Sequence, residues 1–291
     1  MVQQVYNKLM NHTTSLSAVI LLLLTCEANA GISNVDTELA YRHDDNLSRA
    51  EDRRDRFSDN AVDLGVKYSW SQPLTSNSGL RLSGSMRLSE QIHYDDLSHL
   101  SFAADLRYRV QPFAGYTMPW IELGTSYERQ FYRDSDIRDG HAWDASVFVG
   151  KRFTDRIGGR VGASREWRNA EQGKVFDWCR TQLMVAMDYK LSLNSIIYAN
   201  LSKNYGDQVF TATPAPAFRI VAKAIADDPS FGLRRAYRLD SIANTFEIGM
   251  NITLNSANAL DFGFKRFDTA ADGGHNYTDN ELQFSWLFRF Q

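Results

Sequence analysis

The sequence predicts an all-β chain, a transmembrane antiparallel up-and-down β-barrel of about twelve strands, within a range of about ten to fourteen. The first observation is the last stretch of sequence. From Tyr277 to Gln291, Leu282, Phe284, Trp286, Phe288 and Phe290 share one face and Glu281, Gln283, Ser285 and Arg289 the other, with Leu287 breaking the pattern. A period of two with an aromatic-rich apolar side suits a strand that meets lipid on one side and water on the other. The second observation is that this period recurs along the chain while the connections alternate short and long. The third is a mean hydropathy of -0.39 in a sequence that, past residue 30, has no apolar run long enough for a spanning helix. Barrel strands reconcile these facts because half of each strand faces a polar interior.

Residues 1–30 read as a cleaved export signal. Lys8 and the amino terminus give a positive start, Leu16 to Leu24 a short apolar run, and Ala28-Asn29-Ala30 a small-x-small cleavage site. Leu23-Leu24-Thr25-Cys26 approaches a lipid-attachment box, but Thr before Cys is unusual and the Ala-x-Ala site fits better. Residues 31–291 then form one barrel domain. Cys179 is its one cysteine, so it forms no internal disulfide and reads as a small hydrophobe.

The strands follow in order. The first, Val35 to His43, turns Leu39 and Tyr41 outward and leads into a charged loop from Asp44 to Asp59. The second sets Val62, Leu64, Val66, Tyr68 and Trp70 against Asp63, Gly65, Lys67 and Ser69, and Pro73 to Gly79 makes a tight turn. The third and fourth put Leu80, Leu82, Met86 and Leu88, then Leu100, Phe102, Leu106 and Tyr108, toward lipid. Strands five to eight center on Ile121 to Tyr127, Trp143 to Val149, Ile157 to Arg168 and Cys179 to Tyr189. In the ninth, Ser195 to Tyr205, adjacent Ile196 and Ile197 leave the phase open. Strands near Ile242 to Ile252, Leu260 to Phe264 and Tyr277 to Gln291 complete the count. Trp70, Tyr108, Trp120, Phe153, Trp167, Tyr189 and Tyr205 fall near strand ends, where two interfacial aromatic girdles would lie.

Residues 206–240 are too long for a hairpin turn and read as a long outer loop. Within it Phe218, Val221, Ala222 and Ile225 recur at helical spacing, with Asp227-Asp228-Pro229 as the stop. A short amphipathic helix is expected there, either constricting the lumen or lying across the mouth as a lid. The segment from Phe231-Gly232 to Asp240 has the look of a built element. The charge in the other long loops, Asp44 to Arg56 above all, reads first as ordinary solvated loop, and second as a rim that meets lipopolysaccharide phosphates and their bridging divalent ions.

The final strand resembles the C-terminal targeting strand of Gram-negative outer-membrane β-barrel proteins, which typically end on an aromatic; here Gln291 follows Phe290. The resemblance implies an outer-membrane location, contact with membrane lipid and lipopolysaccharide, and recognition by the barrel-insertion machinery. The interior resembles that of small monomeric oligosaccharide porins such as the oligogalacturonate-specific family. That likeness covers architecture, implies a monomer and transfers no residue roles.

If the apolar face meets lipid, Arg81, Arg87, Arg107, Arg109, Glu122, Glu128, Asp144, Arg160, Glu166 and Arg168 line the interior. A turn centered near Ala114 would set Arg107 opposite Glu122, and Glu166 and Arg168 would pair with Asp144 and its neighbors. One reading is an arginine-lined passage that favors anionic solutes. The other is a set of mutually neutralizing pairs that fill a narrow barrel and hold it shut. A formal charge of -3 gives no basic field for nucleic acid. The histidines lack metal-ligand spacing, and no cofactor motif is present. His93 with Asp95 and Asp96, or Asp139 with His141, have the composition of an outer-membrane hydrolase site but no defining pattern. The functional expectation is a narrow passive channel and not an enzyme, with a non-conducting accessory barrel of a cell-envelope or polysaccharide pathway as the alternative.

Overall fold

A computed structural model describes residues 31–290. The export signal read in residues 1–30, and Gln291, lie outside the described residues. Among the described residues thirteen strands form one antiparallel sheet, and pairing of β9 (Ser195–Ala212) with β11 (Arg234–Thr253) closes it. Around the cylinder run β1 (Ile32–Asp44), β2 (Asp59–Thr75), β3 (Ser78–Gln91), β4 (His99–Val110), β5 (Trp120–Tyr132), β6 (Gly140–Arg152), β7 (Ile157–Ala170), β8 (Trp178–Lys190) and β9, then β11, β12 (Asn258–Ala271) and β13 (His275–Phe290). The barrel is therefore twelve-stranded, and short β10 (Ala224–Asp228) is added beside β11 above the end of β12.

The two phases of each strand have opposite environments. Leu39, Leu64, Met86, Leu106, Leu123, Val147, Val161, Val185, Leu201, Ile248, Phe262 and Trp286 are exposed on the outside. Their register partners are also apolar, as in Leu39 opposite both Leu64 and Trp286. A continuous apolar band with no protein cover is stable only against hydrocarbon. In β9, Ile197 joins this band opposite Tyr189 and Met250, and Ile196 faces the interior.

Three local expectations change. Pro73 does not begin a turn: β2 continues to Thr75 through a register shift, where a missing N–H is tolerated, and the turn is Ser76-Asn77. Trp120 is not a girdle residue, because it shares the inward phase of Glu122 and lies against Gly150 and the Arg109 guanidinium, 4.1 Å from its ring. Residues 206–240 form an outer connection that is largely folded and not irregular. β9 and β11 extend past the barrel wall as a paired hairpin from Gly206 opposite Ser241 to Ala212 opposite Arg235.

The departure point is Gly206. It makes the last pair between β8 and β9, with Arg180, and has φ +124. A Cβ there would stand 2.3 Å from the Cys179 carbonyl oxygen, so only glycine lets β9 leave the cylinder at this height. Asp207 and Asp240 flank the bend, and Lys223 bridges them at 2.8 and 2.6 Å.

Candidate functional site

The extended hairpin and β10 make a three-stranded sheet that crosses the barrel mouth. Its apical turn carries Phe231, which packs on Phe57 of the loop after β1 and Tyr94 of the loop after β3, with ring centroids 5.3 Å away in both cases. The loop after β3 lies six strands around the cylinder from the β9–β11 pair. A sheet rooted on one wall that touches the opposite wall spans the full opening.

Three loops tie it there by polar bonds. The Thr211 N–H donates to the Ser48 carbonyl at 2.8 Å. Asp55, buried in the first loop, accepts from the Thr213 N–H at 2.8 Å, the Thr213 hydroxyl at 2.7 Å and Arg234 Nε at 2.9 Å. Burial alone would raise the Asp55 pKa, but the Thr213 donors and the Arg234 guanidinium outweigh it and hold the carboxyl below its ordinary value. Arg238 donates to the Asp177 carbonyl in the loop after β7. The strongest tie is Arg138, from the loop after β5, to Asp228 of β10. Two parallel N–H···O bonds of 2.8 and 2.5 Å join them, Thr211 Oγ1 donates to the same carboxylate at 2.6 Å, and the guanidinium lies 4.5 Å from the Phe176 ring center. Asp228 is 0% exposed. A charge that deep is tolerated only when paired and hydrogen-bonded.

The sheet is apolar on both sides, so it has a core of its own. Val209 and Ala236 pack inward on Val175 and Phe176. Phe210, Tyr237 and Leu239 face outward and are covered by α1 (Pro216–Val221) through Phe218 and Val221. The expected helix is thus real but ends at Val221, on the outer surface of the lid and away from the lumen. Ile225 is not helical. It lies in β10 opposite Tyr237, because Lys223 N–H donates to the Arg238 carbonyl and sheet pairing replaces the third helical turn. The first loop likewise differs from a solvated one: Asn46, Ser48, Ala50 and Asp55 are buried, and Leu47 to Arg49 dip into the mouth.

Beneath the lid the lumen is polar. A cavity of about 450 Å³ lies under Val209, Thr211 and Phe231, walled by Arg42, Arg168, Arg180, Glu166 and Lys265 among others. A second, of about 840 Å³, includes Glu38, Lys67, Arg87 and Glu128 and reaches the short turn at Asn255 to Ala257. His99 lines both. A third, of about 680 Å³, opens beside the turns at Ser76 and Gly115 and is lined by Arg81, Arg107, Arg109 and Glu122.

Of the sequence-derived interior residues, Arg87 pairs with Glu38 at 2.9 Å, and Glu128 accepts from Gln130. Glu122 takes Arg109 at 2.6 Å and Arg107 at 3.2 Å, and Arg107 also reaches Asp105 at 3.0 Å. The register is Arg109 opposite Glu122 and Arg107 opposite Gly124, since the turn centers one residue beyond Ala114–Gly115 symmetry and the Arg107 contact is diagonal. Glu166 pairs with Arg180 at 2.6 Å and not with Asp144, which stands directly opposite it as a like charge. Arg168 binds Gln130 and the Arg138 carbonyl, Arg160 lies over Phe148, and Arg81 reaches Ser71 at 3.4 Å.

The hydrolase compositions do not assemble. His93 Nδ1 lies 2.8 Å from Asp59, whose carboxylate also caps the N–H groups of Asn60, His93 and Tyr94, a loop-fixing role. Asp139 accepts the Tyr132 N–H, while His141 turns to the outer face near Tyr127. The lid residues Arg138, Asp228, Asp55 and Phe231 were not singled out by sequence as a site. Their signal is the run Asp227-Asp228, Pro-Ser-Phe-Gly-Leu, Arg234-Arg235, opposite charges facing across a turn.

No protein-family pattern matches the chain, and no curated protein sequence matches it. Solved structures do. The COG4313 outer membrane channel from Pseudomonas putida F1 is similar at 9% identity over 89% of this chain and 96% of that one, with a TM-score of 0.60. The NanC porin is similar at 10% identity over 87% of this chain and 98% of that one, with a TM-score of 0.50. The fold is that of outer-membrane β-barrel channels and porins.

Proposed function

We propose that this chain is a narrow passive channel in the outer membrane of a Gram-negative bacterium, passing small solutes when its lid leaves the mouth. The observation that carries the reading is the arrangement along the axis: polar cavities that reach the short-turn end, stopped at the other end by a sheet held on loops. A filled structural barrel has no use for a lid, and a permanently open pore has none either. Anionic solutes are favored at the short-turn end, where Arg81, Arg107 and Arg109 line one cavity with Glu122 the opposing charge. The exposed loop charges Glu51 and Arg54 meet lipopolysaccharide, β13 is the strand read by the insertion machinery, and the barrel works as a monomer.

The test is planar-bilayer recording in a salt gradient. Discrete conductance steps are expected, with a reversal potential on the anion side that Arg107→Ala or Arg109→Ala moves toward cations. A reversal potential unmoved by both changes removes the anion reading. A second reading, a non-conducting accessory barrel in cell-envelope assembly, draws on the Arg107, Asp105, Glu122 and Arg109 cluster, whose pairs neutralize one another inside the lumen. It expects no conductance with or without the lid.

A further inference from the structure

The root of the first loop gathers three carboxylates. Asp44 ends β1, Asp45 follows it, and Asp279 lies on the adjoining β13; each brings one oxygen within 4.8 Å of the others. Two oxygens on opposite sides of a calcium ion, each at its usual 2.3–2.6 Å, stand about 5 Å apart, so the spacing suits one ion of that size. The carboxylates are held in place by other groups. Asn280 donates its backbone N–H and its side-chain amide to Asp45 at 2.8 and 2.7 Å, and the Asn46 N–H donates to Asp44 at 2.8 Å.

A separate observation points to a missing partner. Asp279 is 5% exposed, and its Oδ1 has no hydrogen-bond partner. A carboxyl oxygen at that depth without a donor is costly to ionize, and an ionized carboxylate beside it supplies acceptors only. The cations that face the cluster are Arg49, from the cavity, and Arg42, whose ion pairs go to Asp63 and Glu281. We propose that Asp44, Asp45 and Asp279 hold one divalent cation of the hard, oxygen-seeking class, calcium above magnesium because the ligands are carboxylates at the wider spacing. The ion fixes the root of the loop whose Asp55 binds Thr213 and Arg234 of the lid. Cation occupancy and lid closure are thereby linked, though binding itself does not depend on the channel reading.

The test uses the full chain, folded in detergent micelles, stripped with a chelator and titrated with calcium chloride by calorimetry. Terbium, excited through neighboring Tyr277, gives an optical readout of the same site. The expected result is saturable one-site binding with a dissociation constant on the order of 10⁻⁴ to 10⁻³ M, as in extracellular calcium modules. Asp279→Asn and Asp45→Asn each weaken it at least about tenfold. Asp52→Asn, an exposed carboxylate in the same loop, leaves it unchanged. Asp45→Asn, at the surface, serves if Asp279→Asn does not fold. No saturable binding to the folded chain, undiminished binding in both variants, or equal weakening by Asp52→Asn overturns the site.

Discussion

Replacing Arg138 with alanine is the perturbation that bears most sharply on the lid. The guanidinium makes two bonds to Asp228 and further bonds to Ser135 and Ser230, while lying over Phe176. Both partners are buried, at 9% and 0% side-chain exposure. Removing one member of such a pair strands the other and costs about 3–5 kcal/mol. Because Asp228 sits on the lid and Arg138 on a fixed loop, that cost falls on the closed state alone. At about 1.4 kcal/mol per factor of ten, the open-to-closed ratio rises by roughly two to three and a half powers of ten. The assay is single-channel open probability in planar bilayers, with limited proteolysis after Arg234 or Arg235 as a structural check. Adding Asp228→Ala to Arg138→Ala removes the stranded charge and should return part of the closure, since the penalty lies in the unpaired carboxylate. An Arg138→Ala channel with wild-type open probability, or a double variant more open than the single one, would refute the reasoning.

Three further outcomes follow from the same contacts. Asp55 has a lowered pKa in the folded state, so its contribution to closure is complete above the ordinary carboxyl range near pH 3.9 and is lost as pH falls through the lower folded value; open probability should climb on acidification below about pH 4, and Asp55→Asn should abolish that climb. Tyr237→Ala empties a position that is 0% exposed between Phe210 and Phe218, which should destabilize the lid by about 3–5 kcal/mol and speed hydrogen exchange in β9 above Gly206 without changing the barrel's own. Glu122→Gln leaves Arg107 and Arg109 without their shared counter-charge; the reversal potential should move toward the anion limit, and an unchanged value would place this cavity off the ion path.

The barrel was legible in the sequence because lipid and water impose opposite demands on alternate residues, and Leu64, Val66 and Tyr68 against Asp63, Gly65 and Lys67 record both. The lid was not, for the same reason inverted. Val209 and Phe210 are both buried, as are Ala236 and Tyr237, so two apolar faces erase the period of two. Helical spacing from Phe218 to Ile225 is true for its first turn and fortuitous beyond it, since β10 pairing claims Ala224 onward. The candidate site divides in the same way. Which residues face inward follows from strand phase, but which of them pair depends on turn geometry, and the turn between β4 and β5 moved Glu122 from Arg107 to Arg109 as its direct neighbor. The carboxylates at Asp44 and Asp279 are far apart in sequence and meet only because β13 closes on β1.

The most direct measurement compares the full chain with one in which residues 213–234 are replaced by a two-residue turn, which keeps Ala212 opposite Arg235 and the barrel intact. Both are recorded in the same planar bilayer. The full chain is expected to be mostly closed with brief openings, and the shortened chain to conduct steadily. Steady conduction by both would contradict a lid that closes the mouth, and silence from both would contradict an open lumen beneath it.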